Sequence, residues 1–78
     1  MKIQVTRQDI RLGTPHSECS CPIALAVGRT RPDTNPSVFV DSDFIQIGYS
    51  YFRTPRVAFK FMQAFDAGQP VEPFEFEI

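Results

Sequence analysis

Residues 21–27 read Cys21-Pro22-Ile23-Ala24-Leu25-Ala26-Val27, and this stretch decides the fold. Proline costs little in the first turn of a helix, because an N–H there has no intrahelical partner to lose. Ser20, just ahead, can cap the helix through its hydroxyl. The five side chains from Ile23 to Val27 are all apolar, so the helix is apolar nearly all round and is expected to be largely buried. It is expected to run to about residue 29 or 31, where Arg29 and Arg31 suit the negative end of the helix dipole.

Upstream of that helix, residues 2–5 alternate polar and apolar, with Ile3 and Val5 on one face of a half-buried strand. Thr6 then caps a short helical turn over 7–12, with Asp9 completing a capping box and Gly13 placed to stop it. Residues 14–20 form a loop. Downstream, Pro32-Asp33-Thr34-Asn35-Pro36 is a loop of turn formers. Strands are expected over 37–41 and 44–47, joined by the turn Asp41-Ser42-Asp43. Gly48 marks either a bulge or a tight turn before 49–52. Thr54-Pro55 repeats the start signal, a cap followed by proline at the first helical position, and opens a third helix that runs to about residue 65 or 67, where Gly68 stops it. After the linker 69–73, Phe74, Phe76 and Ile78 alternate with Glu75 and Glu77 as the cleanest strand in the chain.

Helices and strands do not alternate regularly, so the class is α+β. The expected architecture is one small, mostly antiparallel sheet of four to five strands. Two longer helices pack on one face, and a short helical turn follows the first strand. If the terminal strands are neighbours, Lys2 can pair with Glu75 or Glu77 across them.

The chain has 78 residues, so residues 1–78 are expected to form a single domain. Hydrophobic residues make up 42% and charged ones 22%, a globular mixture. A net charge of -1 supplies no field to attract nucleic acid or an anionic membrane. No apolar segment follows the first residues as a secretory signal would require, and no run approaches the roughly 20 residues that span a bilayer. Cys19 and Cys21 are too close to bridge without strain, so two free thiols and a cytoplasmic location are expected. Asn35-Pro36-Ser37 is no glycosylation site, because proline occupies its middle position.

Several stretches together carry a resemblance: Val5-Thr6 with Asp9-Ile10, Cys21-Pro22-Ile23-Ala24-Leu25-Ala26, Phe65-Asp66-Ala67-Gly68 and Val71-Glu72-Pro73-Phe74-Glu75-Phe76. Their pattern resembles a family of short uncharacterised proteins from phages and bacteria, over about half the chain. The resemblance implies a small accessory protein carried by a mobile element. It brings no established activity, so it assigns no functional residue. Residues 31–52 lie outside it.

His16, Cys19 and Cys21 are the one concentrated set of soft ligands, with Glu18 as a fourth donor for zinc. The spacing is cramped and no second cluster exists, so no metal or other cofactor is expected. Cys21 stands at a helix start, where the dipole lowers a thiol pKa. Nucleophilic catalysis would also need a positioned base, and His16 is the sole histidine. Packing as a small hydrophobe is the simpler role for Cys21. Asp41 and Asp43 fit a turn, and Glu75 and Glu77 fit a solvent face. No catalytic residue is assigned, and the chain is not expected to be an enzyme.

The third helix points to binding. At about 100° per residue, Val57, Ala58, Phe61, Met62, Ala64 and Phe65 share one face. Phe59 falls roughly opposite, beside Arg56, Gln63 and Asp66. An aromatic next to an arginine is common in binding hot spots. Phe59, Arg56 and Gln63 are therefore the expected partner-binding residues. Phe39, Phe44, Tyr49, Tyr51 and Phe52 cannot all face inward on an alternating sheet, so some should line an open face. With Arg53 and Arg56 nearby they offer stacking to single-stranded bases, but the positive charges are too scattered to favour it. The expected function is a small non-enzymatic protein-binding module, with an unidentified protein or a second copy as partner. A thiol- or metal-dependent activity at Cys21 and His16, and weak single-stranded nucleic-acid binding, are the alternatives.

Overall fold

The computed structural model describes residues 1–30 and 37–78. Arg31 and the loop of turn formers at 32–36 lie outside the described residues. The element order is β1 (Lys2–Val5), α1 (Arg7–Leu12), α2 (Pro22–Thr30), β2 (Val38–Val40), β3 (Phe44–Ile47), β4 (Ser50–Arg53), α3 (Arg56–Asp66) and β5 (Phe74–Glu77). The class is α+β, as the sequence implied.

Among the described residues the strands do not form a single sheet. β1 pairs antiparallel with β5, and β2, β3 and β4 make a separate antiparallel meander. The reason lies in α2, where Pro22, Ile23, Ala24, Ala26 and Val27 are all buried. A helix apolar nearly all round must be covered on more than one side, which one sheet cannot do. Accordingly α2 packs against β1 of one sheet and β2 of the other. The two longer helices reach the ribbon through different strands, α2 through β1. α3 reaches the terminal ribbon through rings, with Phe61 and Phe74 centroids 4.7 Å apart and Phe74 and Phe76 5.5 Å apart.

In that ribbon Ile3 faces Phe76 and Val5 faces Phe74, which puts the apolar set on one side. The other side is polar. Glu75 takes Lys2 at 3.8 Å and accepts from Gln4 Nε2 at 3.3 Å, as the alternation implied. In the meander, Asp41 Oδ1 accepts from Asp43 N and Phe44 N at 2.8 and 2.7 Å, closing the β2–β3 turn. Gly48 resolves to a tight turn: Ile47 faces Ser50, and a φ of 60° at the first of the two connecting residues is the type II′ pattern.

Helix ends differ in detail from expectation. Cys21, not Ser20, caps α2: its carbonyl accepts the Leu25 N–H at 3.0 Å and its Sγ accepts the Ala24 N–H at 3.4 Å. Pro55 is the residue before α3 and gives no side-chain cap, while the Thr54 hydroxyl donates to Asp41 O at 2.9 Å instead. Gly68, at φ 77°, ends α3 as expected. Gly68 N donates to Phe65 O and Gln69 N to Ala64 O, which together form a Schellman motif.

The capping box of α1 is present: Asp9 N donates to Thr6 Oγ1 at 3.2 Å and Thr6 N to Asp9 Oδ2 at 2.8 Å. Asp9 is also a buried carboxylate. Arg29 grips both its oxygens, Nη1 to Oδ1 at 2.6 Å and Nη2 to Oδ2 at 2.9 Å, and adds a bond to Gln4 O at 2.8 Å. One guanidinium thus ties β1, α1 and the C-terminal end of α2. Burial pushes the Asp9 carboxyl up, but the Arg29 and Thr6 bonds outweigh it and hold it below its ordinary value.

Gly13 has an ordinary φ of −70° and is needed for space, not freedom. A Cβ there would stand 2.5 Å from Pro22 Cδ. Gly13→Ala should therefore destabilise the fold by about 1–3 kcal/mol in urea unfolding. Gly28 in α2 has open space where a Cβ would stand, so Gly28→Ala should stabilise by about 0.5–1 kcal/mol.

A carboxyl more acidic in the folded state stabilises it above the unfolded pKa, about 3.9 for aspartate, and loses that effect as pH falls through the folded value. Urea midpoints measured from pH 7 down to pH 2 should fall below about pH 4. Asp9→Asn should flatten part of that fall and lower stability at pH 7 by about 1.5–3 kcal/mol.

Candidate functional site

Two surfaces stand out: a cleft beside α3 and the outer face of the meander. The cleft arises because the loop over 13–21 is pinned on two sides. Val40 N donates to Glu18 O at 2.9 Å, fixing the loop to the edge of β2. His16 N donates to Asp66 Oδ1 at 2.9 Å, fixing it to the end of α3. His16 adopts φ 59°, an uncommon conformation outside glycine. Between these anchors lies a cleft of ≈ 310 Å³. Pro22, Val40, Phe59, Phe61, Met62 and Phe65 supply its apolar lining, Glu18, Asp41 and Asp66 its carboxylates, and His16 an imidazole.

Phe59 is half-buried here, not turned away from the protein. The buried line of α3 runs through Ala58 and Phe61 with Phe65 beside them. At about 100° per residue, Val57 and Phe59 then flank that line on either side. Val57, expected in the core, is exposed, and the Phe59 side gains the cleft. Gln63 lines the cleft with Phe59 and is exposed, whereas Arg56 is exposed outside it.

The soft-ligand set is split. Cys21 and His16 line the cleft, but Cys19 is exposed and lies in a separate depression with Leu25 and Phe39. Among the described residues no three His, Cys, Asp or Glu side chains converge as a metal site. The His16 imidazole stands beside Asp66, with Nδ1 3.8 Å from Oδ2, while the Cys21 sulfur takes the Ala24 N–H. Burial pushes the Cys21 thiol up, and the Ala24 and Ile23 N–H groups only partly offset this. Desolvation outweighs the helix dipole at this sulfur.

The outer face of the meander is set by register. Phe39, Gln46 and Tyr51 stand in one row, and Phe44 and Arg53 in the next. Val40, Ile45 and Phe52 form a row on the opposite, inner face. Phe39, Phe44 and Tyr51 are 40%, 46% and 65% exposed, and the last two meet edge to face at 6.5 Å. The sequence flagged these rings as a group, and pairing register sorts them: Phe52 goes in, and Tyr49 projects from the turn. Asp66 was missed as a cleft acid because nothing local links it to residues 16–18.

Comparison of the chain with protein-family models, with curated proteins and with solved structures found no match. No helix among the described residues is long and apolar enough to cross a membrane.

Native protein treated with iodoacetamide at pH 7 should be alkylated at Cys19, with Cys21 at least about tenfold slower until urea is added. Peptide mass mapping reads the two sites separately. Equal rates would refute the burial account of the Cys21 thiol.

Proposed function

We propose that this chain is a small non-enzymatic protein-binding module that docks through the outer face of β2–β3–β4. The observation carrying this reading is the set of neighbouring, solvent-facing rings Phe39, Phe44 and Tyr51. Rings of this kind bring large apolar area at low entropic cost, which is why they concentrate in interfaces. The outer side of α3 offers less, because Phe59 is half withdrawn into the cleft and leaves Arg56 and Gln63 as its polar remainder. β4 is also an edge strand among the described residues, so a second copy could extend the sheet there. The resemblance to short phage and bacterial proteins favours an accessory, host-modulating role.

A catalytic reading finds less support. The thiol at Cys21 is buried and kept protonated, and the one imidazole is turned to a carboxylate. Stacking of single-stranded bases would use the same rings, but Asp41 and Asp43 flank the sheet end and the chain carries a net -1.

The test is a Phe44→Ser/Tyr51→Ser double variant, whose changes leave the inner face intact. Wild type should self-associate in sedimentation equilibrium, or retain a specific protein from extracts of the native host. The variant should lose either behaviour while its unfolding free energy stays within about 1 kcal/mol. A wild type that is monomeric and retains nothing, or a variant that binds equally well, would sink the reading. Retention on single-stranded DNA that weakens with salt and vanishes in the variant would replace it with base stacking.

A further inference from the structure

The cleft beside α3 joins an apolar floor to a rim of one charge sign. Among the described residues its lining includes three carboxylates, Glu18, Asp41 and Asp66, and one imidazole, but no lysine or arginine. Two of these acids, Asp41 and Asp66, have their carboxylates held by backbone N–H groups. Asp41 accepts two backbone N–H groups, Asp66 accepts the His16 N–H, and the Glu18 backbone is bonded to β2. The floor rings Phe59 and Phe65 are only partly buried, so apolar surface remains in contact with water.

We infer that this cleft receives a basic segment of a partner protein, which lays an apolar side chain on the Phe59–Met62–Phe65 floor and sets flanking lysines or arginines against Glu18, Asp41 and Asp66. Charge complementarity selects the occupant. An acidic segment would meet three carboxylates of its own sign, and a neutral apolar one would leave them unanswered. Size agrees: ≈ 310 Å³ is at the lower end of the roughly 300–1000 Å³ of ligand sites, which suits one or two side chains and not a folded domain. The anchored Asp41 and Asp66 carboxylates also lose little freedom on binding, which favours affinity. This inference goes beyond the sheet-face reading and stands or falls without it, because the cleft opens beside Val40 of the inner face while Phe39 and Tyr51 lie on the outer one.

The experiment is a selection from a displayed library of random nonapeptides against the whole chain. The selected peptides are then measured by fluorescence anisotropy against four proteins: wild type, Glu18→Lys, Gln63→Lys and Tyr51→Ser. Glu18 and Gln63 are exposed, so these substitutions add positive charge at the cleft without touching the core. Enriched peptides should carry an apolar residue flanked by lysine or arginine. They should bind Glu18→Lys and Gln63→Lys at least tenfold more weakly, weaken with salt, and bind Tyr51→Ser as they bind wild type. No enrichment, enrichment without basic residues, or equal binding to the two lysine variants overturns the inference. Binding lost in Tyr51→Ser and kept in Glu18→Lys overturns it too, and leaves the sheet face as the docking surface.

Discussion

Helix α2 imposes the constraint on which the rest depends. Its side chains are apolar in nearly every direction, and a chain of 78 residues has little else with which to cover them. Cover comes from the ribbon β1–β5 and from the meander β2–β3–β4. Buried side chains of β1, α2, β2, β3, α3 and β5, from Ile3 and Val5 to Ile45, Phe61 and Phe76, belong to one cluster, and Ile10 of α1 and Phe52 of β4 pack against it. Its two ends are secured differently. At the start, the Pro22 ring fills the space left by Gly13. At the far end, Arg29 neutralises the buried Asp9 and binds Gln4 O, so a polar group that would otherwise oppose folding becomes a joint between three elements.

The same packing governs the chemistry. A cysteine at a helix start has N–H groups and a dipole to favour its thiolate. In this protein the sulfur is buried against the core, and the loss of water at the charged form outweighs both. A helix-start cysteine is therefore a nucleophile only where solvent or a cation reaches it. What the fold leaves open to solvent is surface: rings on one sheet face, and a carboxylate-rimmed cleft where the 13–21 loop is pinned to β2 and α3.

Much of this was legible locally. The Thr6–Asp9 capping box, the Gly68 stop, the Asp41 turn and the in–out alternation of the terminal strands follow from short-range rules, and the structure contains each of them. Three readings failed, each for its own reason. The sheet split in two because α2 needed cover on more than one side. Val57 and Phe59 moved to either flank of α3 because its buried line runs through Ala58 and Phe61, not midway between all its apolar residues. Ser20 yielded its capping role to Cys21 because the first helical hydrogen bond begins one residue later.

The linear chain by itself determined which segments are helices and strands, how their apolar sides are spaced, and that α2 would be buried. These depend on periodicity, proline and glycine placement and caps, all of which act within a few residues. Tertiary structure alone decided that Asp9 meets Arg29, that His16, Cys21 and Asp66 border one cleft, and that Phe39, Phe44 and Tyr51 share an open face. Each of those outcomes joins residues far apart in the chain. Their meeting is set by which strands pair, in what register, and how the layers close around α2, and no local pattern specifies that choice.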